Sequence, residues 1–195
     1  MGPAAERRRR EILAAASRQF RARGLHATGM REIAAELGMT AGNLYYYFPS
    51  KQDLLAYCQH EALGRLLALA GRVSAGGGGA DDKLARLIEG HVVILNQVTP
   101  GSLAHLEVNE VPEARREELL GERRRYEACF THLIEEGIAS GVFRSVDARL
   151  AALALLGAVN WTVKWFDEGG TKSASEVGRA FADLLVHGLA APEAR

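Results

Sequence analysis

The chain has 195 residues, of which 48% are apolar and 25% are charged, and its formal net charge is zero. This balance is normal for a globular protein and argues against a long disordered tract. The two cysteines have no CxxC spacing, which argues against a disulfide framework and favours reduced thiols in the cytoplasm.

The charge is unevenly distributed along the chain. Residues 1–52 contain nine basic and four acidic residues, whereas the remainder contains 15 and 20. A basic head joined to an acidic body is typical of a DNA-binding module attached to a module with another role. Four consecutive arginines at positions 7–10 supply most of the excess. They would add nonspecific DNA contacts or form a solvated helix start.

Apolar residues at helical spacing predict helices along the whole chain. The first spans residues 6–23, and Gly24 marks its end. Two short helices follow, which Thr28 and Thr40 are positioned to cap, and Ser50 can cap a longer fourth helix.

Four glycines at positions 76–79 predict a flexible connection after the fourth helix. The chain has no alternating strand pattern and no internal repeat. Beyond the glycines we expect helices at residues 81–98, 102–110, 113–140, 147–167 and 173–190. The sequence therefore predicts an all-α protein with about nine helices.

Residues 28–55 have the organisation of a helix-turn-helix. Two short helices meet at a turn over residues 37–40 that contains Gly38, which is the length and the residue such a motif needs. In this motif the first helix braces the second, and the second lies in the major groove of DNA. The second helix starts with small residues that permit a close approach to the bases: Thr40, Ala41, Gly42 and Asn43.

Two tyrosines follow this small-residue start. We expect Tyr45 and Tyr46 to face outward, where a hydroxyl can reach a phosphate and a ring can contact a thymine methyl group. The alternative is that they fill a small core. Tyr47 and Phe48 are better placed for that role, because they share a face with Leu44.

The string LYYYFPSK at residues 44–51 is the most specific motif in the chain. Other residues of the same pattern are Ile12, Phe20, Gly24, Thr28, Ile33, Ala34, Gly38, Leu54 and Leu55. On these residues the first third of the chain resembles the DNA-binding head of the TetR family of repressors. One departure is Tyr47, where many members have histidine.

The resemblance implies a three-helix helix-turn-helix head at residues 1–52 and a helical ligand-binding and dimerisation body at residues 53–195. It also implies that Thr28 caps the second helix and touches a phosphate, and that Lys51 meets a phosphate. The residues that would face double-stranded operator DNA are Thr28, Arg31, Thr40, Ala41, Gly42, Asn43, Tyr45, Tyr46 and Lys51.

The helix predicted at residues 147–167 is apolar on almost every face, so every face must be covered. The helix at 173–190 adds a second apolar face with small residues. We expect these two helices to form a homodimer interface across a two-fold axis, the alternative being a purely intramolecular core. A dimer would read a palindrome with half-sites about 34 Å apart or somewhat more.

The segment GAVNWTVKWF at residues 157–166 is similar to a TetR subgroup that responds to acyl-coenzyme A thioesters or fatty-acid-like molecules. In its apolar run, Asn160 would orient a ligand carbonyl or pair with its symmetry mate. Arginines at 115, 116 and 123–125 would meet coenzyme A phosphates or form a solvated face paired with glutamates. The expected ligand-binding residues are His91, Leu95, Leu106, Tyr126, Phe130, Asn160, Trp161 and Trp165.

Other functional classes lack support in the sequence. The six histidines show no zinc-binding spacing, and no GxSxG, phosphate-loop or dinucleotide motif is present. We therefore expect no enzyme activity, no metal and no cofactor. The leading hypothesis is a repressor that a small hydrophobic inducer releases from DNA. The alternatives are a ligand-independent DNA-binding protein and an activator with the same head.

The sequence also predicts a cytoplasmic protein without membrane contact. The basic N-terminus lacks the apolar segment of a secretory signal. The most apolar stretch, residues 150–166, is interrupted by Asn160 and Lys164 and is too short to cross a bilayer.

Overall fold

The computed structural model describes residues 2–98 and 111–191. The described chain is helical, which confirms the all-α prediction, and a π-helical segment, Ile94–Val98, extends the fifth helix. The helix predicted at 102–110 lies outside the described residues. The eight described α-helices are α1 (Pro3–Arg23), α2 (Met30–Glu36), α3 (Ala41–Tyr47), α4 (Lys51–Ala75), α5 (Ala80–Val93), α6 (Glu113–Ala139), α7 (Ala148–Trp165) and α8 (Ala174–His187).

The described helices form two compact units. The first comprises residues 2–62 and 111–119, and the second comprises residues 63–98 and 120–191. The first unit extends past residue 52 because α4 contributes Leu54, Leu55 and Cys58 to its core. None of the described helices has the length and apolar character needed to cross a bilayer.

The first unit is held by apolar faces of α1 to α4 that meet in one core. Phe20, Ile33 and Leu44 are essentially fully buried in it, as the helical spacing predicts. Polar side chains join α1 to α2 at the edge of the core. The Glu36 carboxylate accepts hydrogen bonds from Arg18 Nε at 2.5 Å and from Gln19 Nε2 at 2.8 Å.

The turn between α2 and α3 depends on Gly38. Its φ of 62° lies in the left-handed region, which glycine adopts without the steric cost that a side chain brings. The backbone N–H of Gly38 donates to Ala35 O at 3.1 Å, and that of Met39 donates to Ala34 O at 3.0 Å. This tight turn gives the helix-turn-helix its shape.

In the second unit, α5 and α8 pack with their backbones in close approach. A Cβ atom built on Gly178 would lie 2.9 Å from the backbone oxygen of Glu89 and 3.0 Å from its Cα atom. The Glu89 carboxylate accepts a hydrogen bond from Ser175 Oγ at 2.7 Å and from Arg179 Nε at 3.2 Å. Only glycine fits this crossing without a shift of one helix.

The end of the described chain pairs with the turn that follows α6. Phe143 and Ala190 form an antiparallel bridge. The N–H of Arg144 donates to Leu189 O at 2.9 Å, and the N–H of Ala191 donates to Val142 O at 3.0 Å. These backbone hydrogen bonds join the residues after α8 to the turn after α6 within the second unit.

Candidate functional site

The first turn of α3 is built from small residues, as the sequence indicates. Thr40 caps the helix, because its Oγ1 accepts a hydrogen bond from the N–H of Asn43 at 3.2 Å. Gly42 and Asn43 are exposed, and Ala41 is half-buried. This end of α3 therefore presents little side-chain bulk toward solvent, which is the shape needed to reach base edges in the major groove.

The aromatic residues of α3 are divided between core and surface. Tyr45 is 46% exposed and Tyr46 is 83% exposed, whereas Phe48 is buried beside Leu44. Tyr47 is half-buried and meets the Tyr46 ring edge-on at 5.3 Å between ring centroids. The predicted outward direction of Tyr45 and Tyr46 is confirmed.

The predicted capping role of Thr28 is wrong. Gly29 is the residue before α2, and its N–H donates to the Glu32 carboxylate at 3.1 Å. Thr28 is 1% exposed, and its hydroxyl lies within hydrogen-bonding distance of two carbonyls, Gly24 O just after α1 at 2.9 Å and Gln19 O in α1 at 3.2 Å. Its side chain therefore supports the turn and has no surface with which to touch a phosphate.

The two predicted cationic DNA contacts differ in their surroundings. Arg31 is exposed on α2. Lys51 is half-buried, and its ammonium donates to the backbone carbonyl of Leu25 in the turn after α1. An ammonium has three N–H donors, so this contact leaves donors that a phosphate can use. The phosphate role of Lys51 stays a prediction.

The four arginines near the N-terminus do not act as one basic run. Arg8 Nη1 pairs with Glu11 at 2.6 Å on the same helix. Arg9 turns inward, and its guanidinium lies 5.5 Å from the centroids of both the Phe48 and Tyr57 rings. Nothing in the sequence spacing indicates this stacking, because the partners are far apart along the chain. Arg7 and Arg10 are exposed.

In the second unit, three of the predicted ligand-binding residues form a buried cluster. His91 Nδ1 lies 3.1 Å from the Tyr126 hydroxyl, and the two rings stack with centroids 5.7 Å apart. The Tyr126 ring meets Phe130 edge-on at 5.4 Å. Leu95, one turn after His91, is also fully buried. His91 from α5 therefore lies with Tyr126 and Phe130 from α6.

Asn160 adds a polar group from α7. Burial lowers the pKa of His91, and a hydrogen bond to the side chain of Asn160 opposes this effect in part. In the part of the chain that the structure describes, Asn160 Oδ1 and His91 Nε2 are both buried atoms. We call His91, Tyr126 and Asn160 the polar cluster.

Burial lowers the pKa of His91 from 6.5 to about 4. Between these values the unfolded chain binds a proton that the folded chain does not, so stability falls as the pH falls. Between about pH 7 and pH 4.5, the free energy of unfolding should therefore fall by about 2–3 kcal/mol more in the native protein than in the His91→Phe variant. Urea denaturation at both pH values measures this decline. Equal declines in the variant and the native protein would contradict it.

Trp161 and Trp165 do not join this cluster, and Leu106 lies outside the described residues. Trp161 is 59% exposed and Trp165 is 49% exposed on the outer side of α7. The Trp165 ring stacks on Phe181 of α8 at 6.1 Å. The assignment of these exposed tryptophans to a ligand pocket stays a prediction.

An exposed apolar face runs along α7 and α8. A groove of about 490 Å³ forms part of it between the two helices. Leu184, 71% exposed, lies at its edge. The other apolar residues of the groove include Leu150, Ala154, Leu155, Leu185 and Leu189.

The basic residues of α6 have separate partners. Arg115 lies 3.4 Å from Asp53 in the first unit, beside a hollow of about 400 Å³ that Tyr46 also lines. Arg125 pairs with Glu122 at 3.9 Å, as the solvated-face alternative predicts. Burial lowers the pKa of Arg123 to about 10. These differences leave no reason to assign the arginines one common ligand.

In the described residues, no three histidine, cysteine, aspartate or glutamate side chains are placed to hold a metal ion. Two other features of the described structure are candidate functional sites: the exposed first turn of α3 and the buried polar cluster. The first unit has the helix-turn-helix that defines a class of DNA-binding transcriptional regulators.

Two family models together match most of the chain. Residues 12–58 match the model for bacterial regulatory proteins of the tetR family. Residues 77–189 match the model for the tetracyclin repressor-like C-terminal domain. The chain belongs to the TetR family.

Individual relatives are similar to this chain over nearly its full length. The chain is 28% identical over 193 residues to the HTH-type transcriptional repressor KstR2 of Rhodococcus jostii (strain RHA1), covering 95% of this chain and 92% of that protein. The structure of PfmR, a TetR family regulator from Thermus thermophilus, has a TM-score of 0.81 at 30% identity, covering 90% and 97% of the chains. AibR in complex with isovaleryl coenzyme A and operator DNA has a similar fold, with a TM-score of 0.77, 24% identity and coverage of 93% and 97%.

Proposed function

We propose that this protein is a cytoplasmic repressor that binds a palindromic operator as a homodimer and releases it when a small hydrophobic inducer binds. The observation that carries the proposal is the exposed, small-residue start of α3, held on a buried core with Tyr45 and Tyr46 beside it. We assign DNA binding to residues 1–52, and ligand binding and dimerisation to residues 53–195.

The DNA contacts follow from the surface of the first unit. Small residues at the start of α3 let the helix enter the major groove, and the exposed side chains beside them supply donors and rings. Thr28 is left out because its hydroxyl is buried and already bonded. The proposed contact residues are Arg31, Thr40, Ala41, Gly42, Asn43, Tyr45, Tyr46 and Lys51.

The apolar face of α7 and α8 supports a homodimer. Large side chains such as Trp161 and Leu184 are exposed on it, and covering them with a second copy would remove apolar surface from water. A two-fold dimer presents two copies of α3, which matches a palindromic operator.

The buried cluster supports an inducer site in the second unit. It combines apolar and aromatic surfaces with a few polar atoms, which is the usual composition of a small-molecule site. AibR, which has a similar fold, binds isovaleryl coenzyme A. We therefore propose an acyl-coenzyme A thioester as the inducer class.

Selection of an operator from random duplex DNA tests the whole proposal. We expect enrichment of a palindrome and a gel-shift complex that contains two chains. Addition of acyl-coenzyme A thioesters of increasing chain length should release the DNA at one preferred length. A protein that enriches no sequence, or a complex that ignores every thioester, would contradict the respective part of the proposal.

Tyr46→Ala should weaken operator binding by about 1–3 kcal/mol, because a side chain at the DNA surface is lost. The free energy of unfolding should change by less than about 0.5 kcal/mol, since Tyr46 is largely exposed. Fluorescence anisotropy with labelled operator at several salt concentrations measures the effect.

Tyr46→Phe separates the two roles of this side chain. If the hydroxyl contacts a phosphate, the phenylalanine variant should lose affinity on every sequence. If the ring contacts a thymine methyl group, that variant should retain affinity while the alanine variant loses it. Native affinity in the alanine variant would remove Tyr46 from the interface.

A further inference from the structure

We propose that the hollow beside Tyr46 receives a phosphate of the operator backbone, and that Arg115 of α6 donates hydrogen bonds to this phosphate. The inference rests on the proposed DNA binding of the first unit and deepens it, because none of the proposed DNA contacts comes from α6. Its basis is the hollow of about 400 Å³, which is lined from four helices: α1 with Arg9, α3 with Tyr46, α4 with Asp53 and α6 with Arg115.

Tyr46 gives the position of the hollow relative to the proposed DNA surface. Its side chain is 83% exposed on α3, the helix proposed to enter the major groove, and it lines the hollow together with Arg115. The major groove is about 12 Å wide, and a helix with its side chains is about 10–12 Å in diameter. A helix in the groove therefore brings its flanks against the two sugar-phosphate backbones. A hollow on the flank of α3 is placed to take a phosphate.

The charge of the hollow suits an anion. In the described part of the chain, its charged lining residues are Arg9, Arg115 and Asp53, two positive groups against one negative group. The Arg9 guanidinium lies 5.5 Å from the centroids of the Phe48 and Tyr57 rings, which hold it against an aromatic wall. Arginine is the side chain best suited to phosphate, because its planar fork of N–H donors matches the phosphate oxygens.

Arg115 is able to reach a second anion. Its side chain is 52% exposed, and its Nη2 lies 3.4 Å from Asp53 Oδ1. A guanidinium has five N–H donors, so a contact through one nitrogen leaves donors for a phosphate. Arg115 therefore need not leave Asp53 in order to bind DNA.

Asp53 is held in place by the cap of α4. Its Oδ2 accepts a hydrogen bond from Ser50 Oγ at 2.7 Å, and its N–H donates to the same Oγ at 3.0 Å. The carboxylate therefore orients Arg115 but repels a phosphate that enters the hollow. The two partners should then affect DNA binding with opposite signs, whereas an ion pair that only braced α4 would be weakened equally by the loss of either partner.

Arg115→Gln and Asp53→Asn test the inference on the full chain, by fluorescence anisotropy with the selected operator and with random duplex DNA at several salt concentrations. Arg115→Gln should weaken binding by about tenfold for each chain in the complex. It should also lower the slope of log affinity against log salt by about one for each chain, as the loss of one phosphate contact does. The loss should be equal on both DNAs, because a phosphate carries no sequence information. Asp53→Asn should bind at least as tightly as the native protein.

Arg179→Gln is the matched control. Arg179 pairs with Glu89 at 3.2 Å in the second unit and does not line the hollow, so this variant loses the same charge and a similar ion pair. Its affinity and salt slope should equal those of the native protein.

Two results would overturn the inference and leave the proposed function standing. One is native affinity and salt slope in Arg115→Gln. The other is an equal loss of affinity in Arg115→Gln and Asp53→Asn, which would show that the ion pair only braces α4. A native chain that binds no duplex DNA would instead overturn the proposed function, and the inference with it.

Discussion

Leu184→Glu should convert the protein into monomers and lower its operator affinity by about 10²- to 10⁴-fold. Leu184 is 71% exposed on α8 and lies at the edge of the apolar groove shared with α7. A glutamate there is harmless in a single chain, but in a dimer it would be buried against apolar surface without a partner. Operator affinity falls because the two α3 helices of a dimer bind one operator together. Once the first α3 is bound, the second is held at a high effective concentration near its half-site, which a monomer cannot achieve.

Val142→Glu is the matched control for this substitution. Val142 is also an exposed apolar residue of the second unit, but it lies in the turn after α6 and does not line the groove between α7 and α8. Sedimentation and operator anisotropy should show a monomer with weak binding for Leu184→Glu, and native behaviour for Val142→Glu. A dimeric Leu184→Glu protein would exclude this face as the interface.

Gly178→Ala should destabilise the protein by about 1–3 kcal/mol, although alanine is the better helix former. The added Cβ would lie 2.9 Å from the Glu89 backbone oxygen, closer than such atoms can approach, so α5 and α8 must separate. Denaturant unfolding at neutral pH measures the loss.

The same change at Gly71 should have the opposite sign. Gly71 is an exposed residue within α4, and a Cβ atom there would meet nothing within 4 Å. Gly71→Ala should therefore raise the free energy of unfolding by about 0.5–1 kcal/mol, through the lower backbone entropy of the unfolded chain. Destabilisation of similar size at both positions would show that the close approach of α5 and α8 is not the cause.

Features that depend on neighbouring residues could be predicted from the sequence. Thr40 and Ser50 cap α3 and α4 as expected, because each hydroxyl needs only an N–H three residues further on. The outward direction of Tyr45 and Tyr46 follows from the helical period once Leu44 is placed in the core.

Features that depend on residues far apart in the sequence could not be predicted from it. The prediction that Thr28 caps α2 was wrong because its hydroxyl lies beside two carbonyls, those of Gln19 and Gly24, instead. The local sequence does not indicate these acceptors. Trp161 and Asn160 are adjacent on α7, yet the tryptophan faces outward while the amide oxygen is buried. An all-apolar helix gives no period from which to tell its inner side from its outer side.

The close approach of Gly178 to Glu89 has a thermodynamic consequence. Glu89 is two residues before His91 on α5, and α8 carries Leu184, so the histidine's helix and the leucine's helix touch backbone to backbone. With no side chain between them to absorb a shift, a displacement of one helix must be followed by the other. If the proposed inducer binds the polar cluster and the proposed dimer forms through α8, the two equilibria are linked, and each changes the equilibrium constant of the other by the same factor.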